Sequence, residues 1–182
     1  MSHLAASSEA EAIYAKALRL ETKIGGLDEA EKLYRRFWEL APEDPRGPNK
    51  VGVCCALRGN LDGAEEHFQK ALELDPQYPP ALTNLGNVLL ERNNLEGAVV
   101  RYEEALRYDP DYSAAHNNLA AALKRMGSIR PAVQHLRQAQ RSMRKEDREA
   151  ARKDAQRGCG SSGSKAVILL AAGVLTYGVF WR

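Results

Sequence analysis

Alanines stand at positions 30, 64, 98 and 132, one every 34 residues. Four residues after each comes a large apolar side chain: Tyr34, Phe68, Tyr102 and Leu136. Five residues before each comes a turn former: Gly25, Gly59, Asn93 and Gly127. Prolines close the runs at Pro42, Pro76 and Pro110. Landmarks sharing one register constrain the chain to a repeated unit, too short to bury a core without its neighbours.

Each landmark has a physical reading. Apolar residues three and four apart share one helical face. A Gly or Asn between two such runs supplies the left-handed residue that ends the first helix. The small Ala lets the second helix approach its neighbour, and the aromatic four residues on fills the gap beyond. Asp-Pro then forbids continuation and opens the next unit. The unit is a helix–turn–helix hairpin, and the fold class is all-α.

Period and pattern resemble the tetratricopeptide repeat, most closely in "ALTNLGNVLLERNNLEGAVVRYEEALRYDP", which supplies Leu82, Leu85, Gly86, Leu89, Ala98, Tyr102, Ala105 and Pro110. The resemblance implies a right-handed α-solenoid of four repeats at about 11–44, 45–78, 79–112 and 113–146, with residues 1–10 as an N-terminal extension. The end repeats depart from the pattern. Phe37 replaces the second small residue of its helix, Glu21 takes a place where an apolar residue is usual, and Arg144 stands at the closing proline. Without that breaker the last helix is expected to run on from Ile129 through the polar "RSMRKEDREAARKDAQ". Residues 147–164 therefore read as a charged helix followed by a flexible "GCGSSGS" linker.

The chain finishes on "KAVILLAAGVLTYGVFWR". Residues 166–181 hold no charge, and as a helix they span about 24 Å against a hydrocarbon core of about 30 Å. Lys165 and Arg182 can snorkel, and Tyr177 and Trp181 suit the interface. Residues 165–182 thus read as a C-terminal transmembrane helix that partners the membrane. Residues 141–182 carry nine Lys and Arg against four Asp and Glu, whereas residues 1–140 carry 17 against 20. The basic excess lies on the N-terminal side of the apolar run, which places the repeats in the cytoplasm of a single-pass, tail-anchored protein. It also favours anionic lipid over nucleic acid as the partner of the basic end. No signal peptide is legible in "MSHLAASSEAEAIYAKAL". Cys54 and Cys55 read as small buried groups, and Cys159 as an exposed thiol.

In tetratricopeptide domains the first helix of each hairpin lines the concave, peptide-binding surface. The resemblance puts Asn49, Lys50, Asn84, Asn87, Asn117, Asn118, Lys124 and Arg125 there. Asn84 and Asn118 are one period apart, and an amide can donate to a peptide C=O while accepting from its N–H. A similar asparagine ladder lines the repeat domain of O-linked N-acetylglucosamine transferases, although the rung before Asn84 is Lys50. Domains that clamp the carboxylate of heat-shock chaperone tails use Lys and Asn, then Asn, then Lys and Arg on three successive first helices. The corresponding residues are Asn49 and Val53, then Asn84, then Ala114 and Asn118. Only Asn84 agrees, so that ligand is not expected.

Nothing points to catalysis, a cofactor or a metal. His3, His67, His116 and His135 lack ligand spacing, the nearest pair being 19 apart, and no nucleophile, phosphate-loop or dinucleotide motif occurs. The expected function is a non-catalytic adaptor or scaffold, tethered to a membrane and presenting a peptide groove. The alternatives are a self-assembling structural protein, with a homo-oligomer as its product, and a soluble scaffold whose apolar tail is autoinhibitory.

Overall fold

Gly25, Gly59 and Gly127 take φ of 75°, 78° and 79°, and Asn93 takes 59°. These are the turn positions read from the sequence, and each reverses the chain between two helices. A computed structural model describes residues 3–158, with eight helices and no strand among them. They are α1 (His3–Glu21), α2 (Leu27–Leu40), α3 (Arg46–Leu57), α4 (Leu61–Leu74), α5 (Pro79–Glu91), α6 (Leu95–Tyr108), α7 (Ser113–Arg125) and α8 (Ile129–Gly158). The chain divides into two compact units, Met1–Pro110 and Asp111–Arg182.

The first unit holds three hairpins, α1–α2, α3–α4 and α5–α6, packed in chain order. Asn60 and Asn94 cap the second helices identically, each side-chain oxygen accepting the N–H of Gly63 or Gly97 at 3.0 Å. Such a cap stabilises a helix start by about 1 kcal/mol. The aromatics of α2 and α4 are covered by the first helix of the following hairpin. Tyr34 is enclosed with Ala17, Ala30, Val51 and Cys54, and Phe68 with Ala64, Leu85 and Val88. Room for the rings comes from Gly52 and Gly86: a Cβ at either would run into Phe68 or Tyr102.

A recurring ionic clip joins these hairpins. Arg58, just past α3, donates to Asp28 at 2.6 Å and to Glu31 on α2. One period on, Arg92 donates to Glu65 at 2.5 Å and to Asp62 on α4. A further period along, the sequence has Glu96, Val99 and Met126, so it encodes no third clip.

The second unit pairs α7 with α8 around Ala115, Leu119, Ala122, Ala132 and Ala139. With Arg144 in place of a proline, α8 continues for 30 residues. From Arg144 to Ala155 every residue is exposed, as its polar sequence requires.

α1 starts at His3, and Ala10 is already buried, on the same face as Ala17. Leu136 does not fill its gap as Tyr34, Phe68 and Tyr102 do. It is 45% exposed where Phe68 is 1% and Tyr102 0%. Among the described residues no helix is long and apolar enough to cross a membrane. Cys159, most of the linker and segment 165–182 lie outside the described residues.

Candidate functional site

The first helices α3 and α5 of the first unit pack on one another. Asn49 sits in the first turn of α3, behind Pro45 and beside Pro48, and this places its side chain inward. It is 4% exposed. Its Oδ1 accepts from Asn84 Nδ2 of α5 at 3.0 Å. Asn84 is half-buried, and among the described residues its own Oδ1 takes no hydrogen bond. The partly buried Asn84 amide, held by a buried neighbour, keeps an oxygen with acceptor capacity.

Lys50, the rung before Asn84, is committed elsewhere. Its Nζ lies 2.8 Å from Glu21 Oε2, and the Glu21 side chain is 7% exposed. The Tyr34 hydroxyl donates to the same carboxylate oxygen, and the Lys50 ammonium stands 5.5 Å from the Tyr34 ring centroid. Burial, then the hydrogen bond to Glu21, pushes the Tyr34 phenol far above its ordinary value. The carboxylate that replaces an apolar residue on α1 is therefore one corner of a closed trio. Burial, helped by Glu21, also pushes the Cys54 thiol up to about 12, which leaves it protonated and unreactive.

Asn87 is half-buried and accepts from the Tyr102 hydroxyl at 2.8 Å, so α5 and α6 share it. Arg46 anchors the start of α3. It chelates Asp44, reaches Glu11 of α1, and lies over the rings of Tyr14 and Phe37 at 4.8 and 5.1 Å.

In the second unit Asn117 and Asn118 are half-buried on α7, and Lys124 and Arg125 are exposed in its last turn. Cations there also complement the negative end of the helix dipole. Metal-ligand spacing did not reveal what α7 and α8 bring together. His116 and His135, 19 residues apart, meet Nδ1 to Nδ1 at 3.0 Å, with rings stacked at 5.2 Å. The 19-residue separation is the signal that was available, since it bridges one antiparallel hairpin. Among the described residues no cluster of three or more His, Cys, Asp or Glu could hold a metal ion.

Two models of the tetratricopeptide repeat match the chain, over residues 56–101 and 86–127. No curated protein sequence matches it. Among solved structures, MamA is 19% identical over 76% of this chain and 81% of its own, with a TM-score of 0.58. The first tetratricopeptide domain of Spaghetti (RPAP3), bound to the HSP90 peptide SRMEEVD, is 24% identical over 67% of this chain and 98% of its own, with a TM-score of 0.59. A Thermobaculum terrenum O-GlcNAc transferase mutant is 27% identical over 65% of this chain but only 22% of its own, with a TM-score of 0.59. The chain carries tetratricopeptide repeats, and its helical fold is of that type.

Proposed function

We propose that the chain is a non-catalytic adaptor that takes an extended peptide on its first helices and is held at the cytoplasmic face of a membrane by residues 165–182. The observation that carries the peptide reading is the Asn49–Asn84 pair, which presents a fixed amide oxygen between two packed first helices. Binding through backbone groups tolerates varied side chains, which suits an adaptor. The structural similarity to part of an O-GlcNAc transferase is in keeping with the same reading. The membrane part rests on sequence: sixteen uncharged residues with a basic excess before them. Tethering would concentrate the adaptor beside its targets without any new contact.

The test is affinity capture from membranes with the full chain and with Asn84→Ala. Loss of co-purifying proteins from the variant is expected. An unchanged set at unchanged affinity would remove the peptide reading. For the anchor, deleting residues 165–182 should move the protein from the membrane fraction to the soluble one.

A further inference from the structure

Arg130, Arg137, Arg141, Arg144, Arg148 and Arg152 recur along α8 at intervals of seven, four, three, four and four residues. At about 100° per residue these steps keep all six within an arc of about 80°, along about 33 Å of helix. All six are exposed. The face that α8 buries against α7, at Ala132 and Ala139, lies on the opposite side.

Arginines of the first unit are matched by carboxylates: Arg35, Arg46, Arg58 and Arg92 each meet one or two. On α8 the Lys145 ammonium meets Asp111 at 2.5 Å. Among the described residues none of the six arginines of the stripe has an ion pair. The acids of α8 stand away from it. Asp147, Glu149 and Asp154 lie about 100–120° around the helix from its middle, and Glu146 about 160°. Six like charges on one line repel one another, and an anionic surface brought against them relieves that repulsion.

We propose that this stripe lays α8 along an anionic lipid surface, with its guanidinium groups on headgroup phosphates and carboxylates. Shape favours a lipid surface over nucleic acid. A straight stripe on a straight rod meets a plane along its whole length. A helix seated in a duplex groove has phosphate walls on both flanks, where α8 carries Asp147 and Glu149. Residue type agrees. The arginine fork takes phosphate or carboxylate oxygens two at a time, and Arg141, Arg148 and Arg152 share one surface hollow with Lys145 and Glu149. Finally, α8 holds no Phe, Tyr or Trp on which a base could stack. Val133 borders the stripe instead, 39% exposed, and an apolar side chain there can enter the headgroup layer. The stripe ends at Arg152, so the assignment does not rest on the proposed anchor.

The experiment titrates the full chain with phosphatidylcholine vesicles, with and without about 30% phosphatidylserine. Phosphatidylserine should tighten binding, and about 0.5 M salt should remove the gain. Arg141→Gln/Arg148→Gln should reduce the gain by about 25-fold, about fivefold for each arginine. Arg141→Lys/Arg148→Lys keeps the charge and should hold most of it. Lys16→Gln/Lys153→Gln removes equal charge from exposed positions off the stripe, and should change the gain by less than about threefold. Every substituted side chain is exposed, so circular dichroism should be unchanged. Equal losses in the two glutamine variants, or no gain from phosphatidylserine, would overturn the proposal. A short DNA duplex or polyglutamate that binds more tightly than the vesicles, through the same arginines, would also overturn it and assign the stripe to a nucleic acid or an acidic protein. The two membrane readings separate cleanly. Binding to phosphatidylcholine with no gain from phosphatidylserine would remove the stripe and leave the anchor, whereas a gain without any binding to phosphatidylcholine would keep the stripe and count against the anchor.

Discussion

Arg92 repeats, one period later, what Arg58 does: each crosses from the end of a first helix to two carboxylates on the second helix of the hairpin before it. The Asp28 end is largely exposed and the Glu31 end largely covered. Burial alone would raise the Glu31 carboxyl, but hydrogen bonds from Arg35 and Arg58 outweigh it and hold it below its ordinary value.

Arg58→Ala is expected to cost about 0.5 kcal/mol, the scale of a partly exposed ion pair. Urea unfolding at low salt and at about 1 M salt checks this, because screening should erase most of the difference. A loss that salt does not reduce would mean that packing of the arginine stem, not charge, supports the junction.

Glu21→Leu restores the apolar residue usual at that position, yet it should destabilise the protein by about 1–3 kcal/mol. It strands the Lys50 ammonium and the Tyr34 hydroxyl in a half-buried site. Adding Lys50→Met and Tyr34→Phe should recover most of the loss. A double-mutant cycle between Glu21 and Lys50 measures the coupling directly, and a value near zero would dissolve the trio.

Gly86→Ala is expected to cost about 1–3 kcal/mol, since the added methyl meets the Tyr102 ring in a filled core. Combining it with Tyr102→Leu should cost less than the sum of the two single changes. Additive losses would show that the glycine serves something other than space for the ring.

His67 packs edge-on against Trp38 at 5.9 Å, and its buried Nδ1 has no hydrogen-bond partner. Burial, with smaller help from Lys70 and Arg35, holds its pKa below the ordinary 6.5. A group depressed in the folded state contributes stability that is complete above its unfolded value and is lost as pH falls through the folded one. Stability should therefore decline below about pH 6.5 in the natural sequence and decline less in His67→Gln. Urea midpoints across that range, fitted for both proteins, read the difference.

Asn49→Ala tests whether a buried residue governs a surface property. Asn49 is too enclosed to reach a ligand, so its loss should weaken peptide capture by releasing Asn84 while leaving the helical content unchanged. The readout is capture affinity beside circular dichroism. If Asn84→Ala weakens capture and Asn49→Ala does not, the pair positions nothing.

The repeat register was legible because each landmark answers to local geometry. A left-handed turn admits Gly25 or Asn93 and few others, and Ala30 or Ala64 marks the closest helix approach. What the sequence hid depends on which side chain stands opposite. Asn49 and Asn84 both read as surface amides until α3 and α5 are seen side by side, with Asn49 turned inward. Glu21 read as a defect until Lys50 and Tyr34 appeared around it. His116 and His135 looked unrelated because their separation matches no single-helix spacing, only the span of the α7–α8 hairpin. Leu136 holds its place in the register but lacks the burial of Tyr34, Phe68 and Tyr102.

The long polar part of α8 has a mechanical meaning. From Ser142, its last buried residue, to Ala155 it advances about 20 Å as one rod. Whatever is fastened beyond it inherits both an offset and a heading. Removing seven residues from this rod would shorten the offset by about 10 Å and nearly preserve the heading, while removing five would turn it by about 140°. If the chain works across a fixed gap, the first change should be felt as distance and the second as misdirection.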